Sequence, residues 1–114
     1  MKKSIAFISL FLFMSVLSIA QSKDTTIKVS GNCGMCKAHI EKAAKQAGAM
    51  TASWDKVAKL LKVSFDAAKT STDKIEDAIA KAGYDTEHKT GDSAAYDKLD
   101  DCCKYDRTAK KPNL

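Results

Sequence analysis

The chain has 114 residues, of which 45% are hydrophobic and 29% are charged, and its formal net charge at pH 7 is +5. This length allows one small domain. Acidic residues are interleaved with the lysines, so the sequence lacks the clustered basic surface that is typical of nucleic-acid-binding proteins.

The first twenty residues predict a secretory signal peptide. Two lysines precede an apolar run from Ile5 to Leu17, and Ser-Ile-Ala at residues 18–20 forms a small-residue cleavage site. Cleavage after Ala20 would remove both lysines and lower the net charge to +3. The alternative is an uncleaved membrane anchor, because the apolar run approaches spanning length. Cleavage is favoured, and we expect an exported protein that is periplasmic or secreted.

Hydrophobic periodicity predicts six elements between residues 21 and 89, which we expect to form one domain. In chain order they are strand 24–30, helix 36–48, strand 49–55, strand 60–66, helix 70–83 and edge strand 84–88. This βαββαβ order is the ferredoxin-like arrangement, an α+β fold with a four-stranded antiparallel sheet and both helices on one face. The predicted core consists of Ile27, Val29, Ile40, Trp54, Leu61, Val63, Phe65, Ile75 and Ile79.

Residues 90–114 form a polar C-terminal extension. A short helix from Ser93 to about Cys103 is predicted, and the residues from Arg107 onward resemble a loose tail. The helix would carry four side chains on one face, namely Tyr96, Leu99, Cys102 and Cys103.

All four cysteines follow the predicted cleavage site, as a Cys33-x-x-Cys36 pair and an adjacent Cys102-Cys103 pair. An exported protein with an even number of cysteines is expected to form disulfides. Neither pair closes a loop of any length by itself, and loop closure is the source of most disulfide stabilisation. A link between the two pairs would close a long loop, and the sequence leaves that option open.

The Cys33-x-x-Cys36 pair lies between a predicted strand and a predicted helix. Unpaired N–H groups and the dipole at a helix start favour a thiolate over a thiol. Two thiolates with few other ligands suit a soft cation that accepts low coordination, such as Cu(I) or Hg(II), whereas Zn(II) prefers four ligands. The pair therefore indicates soft-metal binding.

From about residue 24 to residue 88 the chain resembles the heavy-metal-associated domain of copper chaperones, copper-pumping ATPases and periplasmic mercury-binding proteins. The matching segments are IKVSGNCGMCKAHIEKA at the cysteine pair, FD after the third strand and KIEDAIAKAGYD at the second helix. The resemblance implies that Cys33 and Cys36 are the metal-binding thiolates and that Tyr84 shields the site. It also implies stepwise ligand exchange, in which a partner thiolate enters and one original sulfur leaves.

Two features depart from the family pattern. The family motif GMxCxxC has a methionine that packs beneath the metal loop, and Gly31 stands in that position here. The methionine here is Met35, which lies between the two cysteines. Two roles are considered for it: a contact with a partner protein, or a weak thioether ligand of the metal. The second departure is the pair Cys102 and Cys103, which either packs as buried thiols or a vicinal disulfide, or completes a site of three or four sulfurs.

His39 lies three residues after Cys36 and would share its helix face. It is a candidate third ligand or proton donor, although an exposed histidine without a role is the simpler interpretation. A thioredoxin-like redox protein would need a cis-proline loop, and the only proline is Pro112, in the tail. No Ser/His/Asp set, P-loop or dinucleotide fingerprint is present, so we do not expect an enzyme or a catalytic substrate.

The sequence therefore predicts an exported carrier that transfers Cu(I) to or from a metal-transporting membrane ATPase or another soluble carrier. Hg(II) and Zn(II) are the other metals considered, and the oligomeric state is a monomer or a metal-bridged dimer. Three alternatives remain open: a mercury-scavenging carrier, a metal store that uses all four cysteines, and a thiol-disulfide redox protein.

Overall fold

The computed structural model describes residues 22–107, so the predicted signal peptide and residues 108–114 lie outside the described part of the chain. Three strands, three helices and one 3₁₀ helix are present in that part. In chain order they are β1 Ser22–Lys28, α1 Gly34–Gln46, β2 Ala49–Asp55, β3 Leu60–Asp66, α2 Thr72–Lys81, α3 Ser93–Asp97 and the 3₁₀ helix Asp101–Cys103. Within residues 22–107, no helix has both the length and the apolar character needed to cross a bilayer.

The three strands form one antiparallel sheet in the order β1-β3-β2. The hairpin of β2 and β3 has the predicted bounds, and its turn is closed by Asp55, whose Oδ1 accepts the N–H groups of Val57 and Ala58 at 2.8 and 3.1 Å. The predicted α+β class with an antiparallel sheet is confirmed.

The predicted fourth strand, residues 84–88, is reduced to a single bridge between Thr86 and Val29. Beyond the bridge the chain turns back, since the N–H of Thr86 donates to the carbonyl of Lys89 at 2.8 Å. The Thr86 hydroxyl and the N–H of His88 both donate to the Glu76 carboxylate on α2, at 2.6 and 2.9 Å. These contacts tie the segment to α2, and its pairing with the sheet is limited to the one bridge, so the predicted four-stranded sheet is not confirmed.

Both long helices pack against the same face of the sheet and enclose the core. The opposite face carries exposed polar residues such as Thr26, Lys62 and Ser53, as the alternating strand pattern requires. Every predicted core residue is buried, each with at most 3% of its surface exposed: Ile27, Val29, Ile40, Trp54, Leu61, Val63, Phe65, Ile75 and Ile79. The prediction of the core is confirmed.

The C-terminal extension departs from its prediction in two ways. The expected helix from Ser93 to about Cys103 is divided, because Asp100 is extended (φ −63°, ψ 154°) and separates α3 from the 3₁₀ helix. Arg107 was expected in a loose tail, but its guanidinium donates to Asp85 Oδ1 at 3.3 Å and to the Gly91 carbonyl at 2.8 Å. Long-range contacts, rather than local helix propensity, therefore fix the extension.

Tyr105 anchors the extension to the domain and is only 3% exposed. Its hydroxyl donates to the Gly83 carbonyl at 2.8 Å and accepts the N–H of Asp85 at 2.9 Å. The Tyr96 hydroxyl donates to the Tyr105 carbonyl at 2.6 Å, and the two rings meet edge to face at 5.0 Å. The extension thus contributes to the same core as the sheet and the helices.

His88 is expected to make the stability of the fold dependent on pH. Its Nδ1 lies 2.9 Å from the buried Glu76 carboxylate, and this hydrogen bond raises the pKa of His88 above its usual value of 6.5, with smaller contributions from Glu87 and Asp73. A raised pKa means that the folded state binds the proton more tightly. The stabilisation of the fold by the His88–Glu76 pair is therefore complete below about pH 6.5, and it is lost as the pH rises through the pKa of His88 in the folded state.

The His88→Asn variant keeps the backbone N–H bond to Glu76 and removes the titrating ring. We expect the difference in unfolding free energy between wild type and His88→Asn, measured in urea, to shrink between pH 5.5 and pH 8.5, a range set around the usual histidine pKa of about 6.5. Lys89→Gln is the matched control, because the ion pair of Lys89 with Asp73 persists across that range. A difference that does not change with pH would contradict the assignment.

Candidate metal centre

The loop that carries the cysteine pair is fixed by backbone contacts on both sides. The N–H of Val29 donates to the Lys59 carbonyl at 3.0 Å, and the N–H of Ser30 donates to the Asp85 carbonyl at 2.9 Å. The ammonium of Lys59 in turn donates to the Gly31 carbonyl. The loop is therefore held in place before any metal binds.

The indole of Trp54 forms the floor of the loop. Its Nε1 donates to the Val29 carbonyl at 3.0 Å, and the residue is 2% exposed. A Cβ added at Gly31 would lie 2.9 Å from two indole carbons and 3.2 Å from the Cβ of Cys36. The position of the family methionine must therefore be glycine here, because Trp54 already fills the space beneath the loop.

Cys33 and Cys36 lie at the start of α1. Cys33 is the N-cap residue and is half-buried, whereas Cys36, in the first turn, is fully buried. Their sulfurs are 3.6 Å apart, and the N–H of Asn32 donates to the sulfur of Cys36 at 3.3 Å. The Cys36 sulfur thus accepts a backbone hydrogen bond at the start of the helix.

The C-terminal extension brings both of its cysteines to this loop. Cys102 forms a disulfide with Cys33 across 69 residues, with the two Cα atoms 6.2 Å apart. Cys103 is a free, fully buried thiol whose sulfur lies 3.6 Å from that of Cys33. The sulfurs of Cys33, Cys36 and Cys103 all lie within 4.8 Å of one another. Cys102 thus pairs with Cys33 rather than with its neighbour.

Tyr84 lies beside the sulfurs and is fully buried. Burial raises the pKa of its hydroxyl well above the usual value of 10.0, and hydrogen bonding with Cys103 and Cys36 raises it further, so Tyr84 stays neutral. Burial, followed by hydrogen bonding with Cys36, also raises the pKa of Cys103, to about 11.

His39 and Met35 are placed differently from the cysteines. His39 is half-buried, and its Nδ1 lies 3.0 Å from the Tyr84 hydroxyl; no histidine joins the sulfur group among residues 22–107. Met35 is 47% exposed, and its sulfur lies 3.9 Å from that of Cys102, on the outer side of the loop. His39 is therefore a hydrogen-bond partner of Tyr84 and not a member of the sulfur group. Met35 is a surface residue.

Two residues near the site were not predicted to be there. Trp54 was expected in the core, and its position beneath the loop depends on a strand pairing that local patterns do not specify. Tyr105 was missed entirely. The available signal was an aromatic residue two positions after Cys103 in an otherwise polar segment, since such residues often serve as anchors.

A group of three close sulfurs at a strand-to-helix loop of an α+β domain can hold a metal ion and defines a candidate soft-metal-binding protein. The comparisons with known proteins agree. The chain is 33% identical over 84 residues to the mercuric transport protein periplasmic component of Shewanella putrefaciens, covering 72% of this chain and 92% of the relative. No family model matches the chain.

Several solved structures are also similar to the chain, including a metallochaperone and part of an ATPase. The CopZ metallochaperone has 29% sequence identity and a TM-score of 0.54, over 56% of this chain and 98% of that chain. The water-soluble region of the P-type ATPase CopA from Bacillus subtilis has 33% identity and a TM-score of 0.55, over 60% of this chain and 46% of that region. The chain belongs to the heavy-metal-associated domain family, together with copper chaperones and the periplasmic mercury-binding proteins.

Proposed function

We propose that this protein is an exported carrier of a soft metal ion, which it binds through the thiolates of Cys33 and Cys36. The observation that supports this most directly is the 3.6 Å separation of the two sulfurs on a loop that is braced from beneath by Trp54. Sulfur ligands select soft cations, and within residues 22–107 no carboxylate or histidine accompanies the sulfurs in the group. A carrier that exchanges ligands performs no covalent catalysis.

Unequal exposure of the two sulfurs suggests the order of exchange. Cys33 is half-buried and Cys36 is fully buried, so an incoming partner thiolate reaches the metal on the Cys33 side. The metal then passes through a three-coordinate intermediate, and one of the original sulfurs leaves. The proposed partners are a metal-transporting membrane ATPase and another soluble carrier. Similarity to a domain of a P-type ATPase and to a metallochaperone supports both.

Cu(I) is the first candidate for the cargo, because two thiolates satisfy its preference for low coordination. Hg(II) is the second candidate, favoured by the 33% identity to a periplasmic component of mercuric transport.

The same relative supports export, and sequencing the N-terminus of protein isolated from the periplasm should place the cleavage after Ala20. An intact N-terminus starting at Met1 would contradict cleavage.

The cargo is tested by anaerobic titration of the reduced full chain with Cu(I), Hg(II) and Zn(II), together with X-ray absorption measurements of the sulfurs around each metal. Cu(I) or Hg(II) should bind one per chain, and Cys36→Ser should weaken the binding strongly because it removes one of the two loop thiolates. Asn32→Ala, which keeps its backbone N–H and both loop cysteines, is the matched control. Tight zinc binding by four sulfurs would overturn the proposal.

A further inference from the structure

A carrier with two thiolates does not need the third sulfur that the C-terminal extension brings to the loop. We propose that Cys103 is a third ligand, so that Cys33, Cys36 and Cys103 together bind one soft metal ion in trigonal geometry. This inference rests on the function proposed above and adds a coordination number and a further ligand to it.

The spacing of the three sulfurs fits such a site. Cys103 and Cys36 each lie 3.6 Å from Cys33, and the three sulfurs lie within 4.8 Å of one another. With a metal–sulfur distance of about 2.3 Å, three sulfurs in a plane around one ion stand about 4 Å apart. The sulfurs therefore need to move by only a few tenths of an ångström on average to bind a common ion.

Cys103 is held at the loop from both sides. Its own N–H donates to the Asp100 carbonyl at 2.8 Å within the 3₁₀ helix. Two residues later, Tyr105 is fixed by its bonds to Gly83 and Asp85. A ligand that is already in position gives up little conformational freedom when it binds, which favours tight retention of the metal.

The neighbouring Cys102 is not proposed as the third ligand, because it does not belong to the group of sulfurs that all lie within 4.8 Å of one another. It is exposed, and its sulfur lies 3.9 Å from the sulfur of the exposed Met35. Its disulfide with Cys33 also removes that sulfur from metal binding. Cys102 therefore controls access to the site, while Cys103 completes it.

Loading with metal requires reduction of the Cys33–Cys102 disulfide. An external dithiol can reach the exposed sulfur of Cys102, form a mixed disulfide with it and release Cys33 as a thiolate. The second thiol of the reductant then displaces Cys102 and closes the reductant's own disulfide. Two electrons and two protons pass from the dithiol to the two cysteines, and all three site thiols become available.

The site would take cations that accept three thiolates and no fourth ligand. Among the described residues the sulfur group contains neither an acid nor a histidine. Cu(I) and Hg(II) meet this requirement, whereas Zn(II) would need a fourth ligand from outside the group. Three cysteine thiolates around one Cu(I) or Hg(II) ion would thus form a trigonal site.

The test counts sulfurs around Cu(I) in the reduced full chain by X-ray absorption, with affinity measured by competition against a bidentate Cu(I) chelator. Wild type should show three sulfurs per copper. Cys103→Ala should show two sulfurs and an affinity lower by about tenfold or more, which corresponds to at least about 1.4 kcal/mol. Cys102→Ser, the matched control at the adjacent residue, should keep three sulfurs and the wild-type affinity.

Two or four sulfurs in the wild type would overturn the inference, and that count does not depend on whether Cys103→Ala folds. Unchanged affinity in a folded Cys103→Ala variant would also overturn it. Failure of the proposed function has a different signature: wild type would bind no soft metal, or Cys36→Ser would bind it unchanged. If the wild type shows two sulfurs per copper and binding is lost on replacing Cys33 or Cys36, the carrier function stands and only the role of Cys103 as a third ligand is rejected.

Discussion

Replacing Cys102 with serine is expected to lower the unfolding free energy of the oxidised protein by about 4 kcal/mol. The disulfide joins Cys33 to Cys102 across 69 residues, and most of its stabilising effect comes from restricting the unfolded chain. The comparison is made in a Cys103→Ala background, because the Cys103 sulfur lies 3.6 Å from that of Cys33 and could form a substitute disulfide across nearly the same loop. Without Cys102 in that background, Cys33 and Cys36 can close only a very short loop. Urea denaturation at pH 7, with and without an excess of a dithiol reductant, measures the effect.

Reduction should bring wild type and Cys102→Ser to the same denaturation midpoint, because both then lack the cross-link. Asp101→Asn is the matched control: it changes the adjacent exposed residue and keeps the disulfide, so it should unfold like wild type in both conditions. A stability difference between wild type and Cys102→Ser that persists in the reductant would contradict the account based on loop closure.

Replacing Trp54 with alanine is expected to lower the unfolding free energy by about 3–5 kcal/mol, as is typical for a buried aromatic side chain. Trp54 is 2% exposed, packs beneath Gly31 and donates to the Val29 carbonyl at 3.0 Å. Loss of this floor should also reduce the Cu(I) affinity, because the loop would no longer be held in its binding conformation. Both quantities are measured on the reduced protein.

Trp54→Phe separates the packing of Trp54 from its hydrogen bond. It keeps much of the ring but leaves the buried Val29 carbonyl without the indole donor, so we expect a cost of about 1–3 kcal/mol. If Trp54→Ala lowers stability while the Cu(I) affinity stays at the wild-type value, Trp54 is a core residue and does not support the metal loop.

The sheet and the core could be predicted because their signals are local. Strict alternation over residues 49–55 and 60–66 gave the hairpin with its bounds, and the same alternation identified the buried face. The predicted fourth strand is not confirmed beyond a single bridge, and the reason is non-local. Thr86 and His88 bond to Glu76, a residue on another element, and nothing in the local pattern of residues 84–88 indicates that competition.

The position of Cys33-x-x-Cys36 on a strand-to-helix loop followed from the flanking patterns. The meeting of this loop with the C-terminal cysteines could not be derived in the same way. It depends on Asp100 interrupting the predicted helix and on Tyr105 reaching Gly83, which are contacts between distant parts of the chain. Sequence patterns therefore identified the cysteines as important and left their partners open.

The burial of Tyr105 also bears on where this protein can be cut. A boundary at residue 89 would separate the hydroxyl of Tyr105 from its partners at Gly83 and Asp85, and would leave Tyr84 without the ring that stacks on it at 6.1 Å. A fragment ending there would expose apolar surface that the intact chain covers. We therefore expect a chain cut at residue 89 to unfold more easily than one that continues through Arg107.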